Sequence, residues 1–174
     1  ILAGCSSVKD SASARQETRV DTSAALKIKE INRDRALSHF IEGAVFDAKG
    51  EYAKAAAEYE KAKEYDPSPA IYYAISRDYT LLGKFPQAAQ AARECVRLDS
   101  ANVIYRENLA SIYLSALETD KAIKEYEEIV RIDSNYTSGW FSLARLYQAT
   151  KPLRALEIYD RILDRSGEDW EVLY

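Results

Sequence analysis

Four alanines set the period of this chain. Ala55, Ala88, Ala122 and Ala155 follow one another at intervals of 33, 34 and 33 residues, and each opens the second half of a similar segment. Self-similarity at that period means a stack of small helical units, none able to bury its own apolar face without a neighbour. Around Ala55 stand Gly50 and Tyr52 before, Tyr59 and Ala62 after, and Pro67 at the close. Gly83 and Phe85 repeat the turn ahead of Ala88. The third unit shows Leu109, Ala110, Tyr113, Ala122 and Tyr126, and the fourth Trp140, Leu143, Ala144, Tyr147, Ala155 and Tyr159.

Within each unit the apolar residues recur at helical spacing, as in Ile123, Tyr126, Ile129 and Val130, so one stripe of each helix is predicted to be buried. Small residues such as Gly43, Ala74, Ala110 and Ala144 are read as close helix crossings, with Tyr79, Tyr113 and Tyr147 filling the space beside them. Ser68 before Pro69 reads as a helix start, Asp34 as the cap of the first repeat, and Gly50 and Gly83 as helix ends. No alternating strand-like run occurs, and 47% apolar content over 174 residues is enough for one elongated, all-α domain.

The linked pattern from Asp34 to about Asp169 resembles the tetratricopeptide repeat family. That resemblance implies a right-handed superhelical solenoid of antiparallel helix pairs, about four repeats plus the start of a fifth. It departs from the family pattern at Leu117, which replaces the turn glycine, at Lys151-Pro152, which shortens the last turn, and at Ser100 and Ser134, which replace the closing proline. In the family, first-helix residues line a concave groove that holds peptides or partner helices. Carried over by motif, the groove residues here are Tyr73, Arg77, Asn108, Ser111, Phe141 and Arg145. Arginine and aromatic side chains suit a peptide hot spot, and Asn108 is placed to meet an extended backbone. Phe40 and Ala44 stand where the chaperone-binding members carry a lysine and an asparagine of their carboxylate clamp, so that clamp is not reproduced.

Ahead of the repeats stands Leu2-Ala3-Gly4-Cys5, followed by Ser6-Ser7. It is similar to the lipobox of bacterial lipoproteins, in which the cysteine receives a diacylglyceryl group and becomes the first mature residue. The resemblance implies lipidation of Cys5, residues 1–4 as the remnant of a signal peptide, and a place in the cell envelope, with the outer membrane favoured. Ser6 to Asp21 is polar and nearly devoid of large apolar residues, the composition of a flexible tether, with a short helix open over Thr22–Asn32. Trp170 to Tyr174 reads as the opening of a further amphipathic stretch, belonging to another repeat or docking on a partner.

Little in the chain suggests chemistry. His39 is the only histidine and lies beside Phe40, so it reads as a packed rim residue; Cys95 among Ala91, Ala92 and Val96 reads as a structural thiol. One histidine and one buried cysteine make no zinc site, and no catalytic residues or metal ligands are assigned. A net charge of −4 provides no basic face for nucleic acid. The expectation is a membrane-tethered, non-enzymatic scaffold or accessory subunit of a bacterial envelope complex, with no cofactor beyond the lipid on Cys5 and with homo-oligomers possible. Two other readings stay open: the recognition part of a larger enzyme continuing past residue 174, and a self-associating structural array.

Overall fold

The computed structural model describes residues 7–166, with side chains described for residues 23–164. Eight helices follow one another: α1 (Ser7–Ala48), α2 (Tyr52–Tyr65), α3 (Pro69–Leu81), α4 (Phe85–Leu98), α5 (Val103–Ser115), α6 (Thr119–Ile132), α7 (Thr137–Thr150) and α8 (Pro152–Ser166). Each odd helix packs on the even helix after it, and each pair stacks on the next, which gives the all-α solenoid that the period predicts. Cys5 and Trp170–Tyr174 lie outside the described residues.

One turn recurs between the two helices of a pair. At the first, Glu51 N–H donates to Phe46 O at 2.9 Å and Gly50 N–H to Asp47 O at 2.9 Å, with Gly50 at φ 75°. Lys84 to Tyr79 and Gly83 to Thr80 repeat it, with Gly83 at φ 70°. These paired bonds are the Schellman closure of a helix, which needs a left-handed residue. The third turn keeps the same bonds, Glu118 to Tyr113 at 2.8 Å and Leu117 to Leu114 at 3.0 Å, although the left-handed residue is Leu117 at φ 61°. Its side chain is 89% exposed, so nothing is gained by packing to offset the strain. Leu117→Gly is expected to stabilise the fold by about 0.5–1 kcal/mol in urea denaturation, the left-handed penalty of a side chain less the extra freedom of glycine in the unfolded chain. At the fourth turn, Lys151 N–H closes directly on Tyr147 O and Pro152 starts the next helix, so no left-handed residue is used.

Small residues do set the close crossings, but the register differs from the sequence reading at one place. Gly43, Ser76, Ala110 and Ala144 are the equivalent positions; Ala74 lies two residues earlier. Ser76 is fully buried, its hydroxyl donating to Tyr73 O at 2.7 Å and accepting from the Asn108 amide at 2.8 Å. Tyrosines tie successive hairpins: Tyr79 Oη of α3 donates to Glu60 of α2 at 3.2 Å, and Tyr147 Oη of α7 donates to Glu127 of α6.

Two helix starts differ from expectation. Asp34 caps nothing, because α1 runs through it from Ser7. Ser68 holds the N-cap position with extended backbone, but its hydroxyl makes no capping bond; Pro69 at the first helical position does the local work by fixing φ. The side-chain cap that forms is Asn102, whose Oδ1 accepts from Ile104 N–H at 3.1 Å.

The stretch read as a tether also has helical backbone, beginning at Ser7. From Ser23 to Arg35 only Asn32 is other than exposed, so this part of α1 projects from the repeats as an arm with no apolar face against them. Backbone hydrogen bonds and the helix preference of its alanines, its lysines and Glu30 are its support there.

Candidate peptide-binding groove

The odd helices α3, α5 and α7 carry the predicted groove residues, and the stacking sets their equivalent faces side by side. Arg77, Ser111 and Arg145 occupy the same register in successive repeats and all three are exposed. Tyr73, one turn before Arg77, is half-buried and its ring meets Tyr105 of α5 at a centroid distance of 5.7 Å. Phe141, one turn before Arg145, is 49% exposed and leans on Tyr159 of α8 at 6.5 Å. The aromatics are thus held by neighbours, which lowers the entropy cost of using them in recognition.

Asn108 is the exception among the six. Its amide nitrogen is committed to Ser76 at 2.8 Å, so the residue is half-buried between α3 and α5 and works as an internal fastener. It cannot offer that donor to a ligand without leaving Ser76 short of a partner. In its place the face gains apolar groups: Leu81, one turn beyond Arg77, is 54% exposed, and Ile104, two turns before Ser111, is 55% exposed. On α1 the equivalent face carries Leu37, also 54% exposed, with Phe40 and Ala44 beside it. Spacing of four or seven residues from the arginine register was the signal that would have found them.

The arginines differ in their ion pairing. Arg97, Arg106 and Arg131 are each paired with a glutamate, Arg106 with Glu125 at 2.8 Å. Arg77 and Arg145 have no carboxylate in ion-pair range among the described residues. Two unpaired guanidiniums on one face, each next to an aromatic ring, form a surface for carboxylates or for backbone carbonyls.

The other groups that drew notice have structural partners. Cys95 is free and buried; its thiol points at Pro69 O, 3.2 Å away, and burial with the nearby Asp99 pushes it up to about 12. A thiol held that high is unreactive at neutral pH. His39 sits at the rim, stacked on Tyr65 and bonded through Nδ1 to Glu58 at 2.8 Å. With Glu42 these two bring ligand-type atoms within 4.8 Å of one another, a convergence not foreseen from sequence. Glu58 already receives Lys61 Nζ at 2.6 Å, and that ion pair holds its carboxyl below the usual range, so a protein cation closes the cluster.

Comparison with known proteins agrees with the helical-repeat fold. Two tetratricopeptide repeat models match the chain, one over residues 38–69 and the other over residues 73–137, together more than half of it. The chain belongs to the tetratricopeptide repeat family. A relative in Saccharomyces cerevisiae, the small glutamine-rich tetratricopeptide repeat-containing protein 2, is 33% identical over 95 residues, covering 54% of this chain and 26% of the relative. The chain therefore spans about a quarter of that protein. The MamA protein superposes with a TM-score of 0.70 at 18% identity, over 91% of this chain and 90% of its own. The first tetratricopeptide domain of Spaghetti (RPAP3), bound to the HSP90 peptide SRMEEVD, superposes at 0.61 with 22% identity, over 67% of this chain and 94% of that one. Tetratricopeptide repeat proteins bind peptides or partner proteins, and the fold is one of scaffolds.

Proposed function

We propose that this tetratricopeptide repeat chain is a membrane-tethered scaffold or accessory subunit of a bacterial cell-envelope complex, holding an extended segment of a partner protein in its concave groove. The observation that carries the binding half is the pair Arg77 and Arg145, exposed, unpaired and two repeats apart on one face, each beside an aromatic ring. Such a face favours a segment with acidic groups set apart by apolar ones, since Leu81, Ile104 and Phe141 lie between and around the arginines. The RPAP3 domain with its glutamate-containing peptide is an instance of a ligand of this kind on the same fold.

The tether half rests on Leu2-Ala3-Gly4-Cys5, with lipid on Cys5 as the anchor and the outer membrane as the favoured location. No helix among the described residues is long and apolar enough to cross a membrane, so attachment through Cys5 is the route proposed. The helical arm of α1 would then stand between the anchor and the first repeat.

Two measurements test the two halves separately. A photo-crosslinker at Ser111, between the arginines, should yield one recurrent envelope partner in native membranes. Arg77→Glu with Arg145→Glu should cut that capture at least about tenfold, since each reversal repels a carboxylate it would otherwise bind. Both residues are exposed, so helicity by circular dichroism should not change. Undiminished capture would move the site off this face. Intact mass of the membrane-extracted chain should show acyl groups on Cys5 as the first residue; an unmodified thiol there would remove the anchor and leave the groove argument standing.

A further inference from the structure

One position of the repeat carries the wrong kind of residue. Val45, Asp78, Ile112 and Leu146 are equivalent in the four odd helices, and three of them are aliphatic. The fourth is a carboxylic acid that is 1% exposed, as buried as Ile112 one repeat later. Its Oδ2 has no hydrogen-bond partner among the described residues. A buried carboxylate with an unpartnered oxygen is a costly substitution into such a slot. An aliphatic residue would have filled it at no such cost, so the acid calls for a use that is not packing.

The slot faces the first hairpin. From α1 comes Asp47, a like charge; from α2 comes the Tyr59 hydroxyl, itself pushed up to about 12 by burial and then by Asp47 and Asp78; from α3 itself comes Arg77, which pulls the other way. Burial and then Asp47 dominate for Asp78, raising it to about 7, and Arg77 only partly offsets them.

We propose that Asp78 is a proton-operated latch that holds the first hairpin, α1 with α2, on the rest of the solenoid. Protonated, the carboxyl is neutral and tolerates the slot between α3 and the hairpin. Ionised, it is driven towards water by its apolar surroundings and by Asp47, and the hairpin loosens from α3. The groove is thereby affected, because Phe40 and Ala44 of α1 extend the face that Tyr73 and Arg77 begin. A group raised above its unfolded value stabilises fully below that value, near pH 4, and the stabilisation is lost as pH rises towards 7. The latch is therefore shut in mild acid and released above neutrality, whether or not the groove binds the class of ligand proposed above.

Hydrogen exchange on the full chain tests this. Amides of residues 36–65, corrected for the intrinsic pH dependence of exchange, should open at least about tenfold more often at pH 8 than at pH 5.5. Amides of α5 to α8 should not share the change. Asp78→Ile, which copies the slot of Ile112, should leave the first hairpin equally protected at both pH values. Asp47→Asn, a milder change at a half-buried site, should lower the midpoint of the transition by removing the like charge. Flat protection in the wild type, or an unchanged pH response in Asp78→Ile, overturns the latch. Should Asp78→Ile not fold, an Asp47→Asn midpoint identical to wild type overturns it as well.

Discussion

Ile129→Ala is expected to destabilise the protein by about 2–5 kcal/mol, and adding Gly139→Ala should recover part of that loss. Ile129 is fully buried on α6, and it lies beneath Gly139 of α7. A Cβ on Gly139 would stand 2.9 Å from Ile129 Cγ2, 3.0 Å from the Tyr136 ring and 3.4 Å from Val130 Cγ1. The isoleucine methyl fills the space that the glycine leaves open, so the third and fourth hairpins meet by a large residue against an absent one. Gly139→Ala alone should therefore cost about 1–3 kcal/mol by overpacking. In the double variant the new methyl enters the cavity vacated by Ile129, and a double-mutant cycle in urea should show a favourable coupling of about 1 kcal/mol. Strict additivity would mean that α7 does not approach α6 as closely at this point.

That contact shows how far the sequence carries. Ala55, Ala122 and Ala155, with Tyr59, Tyr126 and Tyr159 one turn on, announce the period, the helix pairs and the turns, because each depends on residues close along the chain. Leu117 could be recognised as a misfit at the glycine position, and the structure shows how it is resolved: the turn is kept and the leucine takes the strain. What lies across a crossing is harder to read. Gly139 has no partner in sequence that names Ile129, and Asn108 looks as available to a ligand as Ser111 until Ser76 is found 2.8 Å from its amide. Ala74 and Ser76 are both small, and only the packing decides which of them sits at the crossing.

The groove was legible to a similar degree. Tyr73, Arg77, Ser111, Phe141 and Arg145 follow from counting along each repeat, and the stacking of α3, α5 and α7 brings their registers together. Leu37, Leu81 and Ile104 share those faces but draw no attention alone, since an exposed leucine is common on any protein. Asp78 was invisible for a different reason. An acid in a charged chain reads as surface until its equivalents Val45, Ile112 and Leu146 are set beside it and its burial is known.

Gly43→Ala reverses a familiar sign. In an ordinary helix interior the change from glycine to alanine stabilises by about 1 kcal/mol. Gly43 lies inside α1, but a Cβ there would stand 2.7 Å from Tyr59 Cε1, 2.8 Å from Cδ1 and 3.1 Å from Cζ. The ring has little room to swing aside, because it is 3% exposed and also packs against Phe40 at a centroid distance of 5.2 Å. Ala110 and Ala144 carry a Cβ at the same register although Tyr126 and Tyr159 stand where Tyr59 does, so it is how closely the Tyr59 ring lies against α1 that excludes one here. Gly43→Ala should consequently destabilise by about 1–3 kcal/mol, with the first hairpin losing protection before the others. Tyr59→Phe keeps the offending carbons and should leave that penalty in place, whereas Tyr59→Leu removes the ring and should make Gly43→Ala neutral or stabilising. A stabilising Gly43→Ala in the wild-type background would show that α1 and α2 can separate at little cost, and the first hairpin would then owe its position to its contacts with α3.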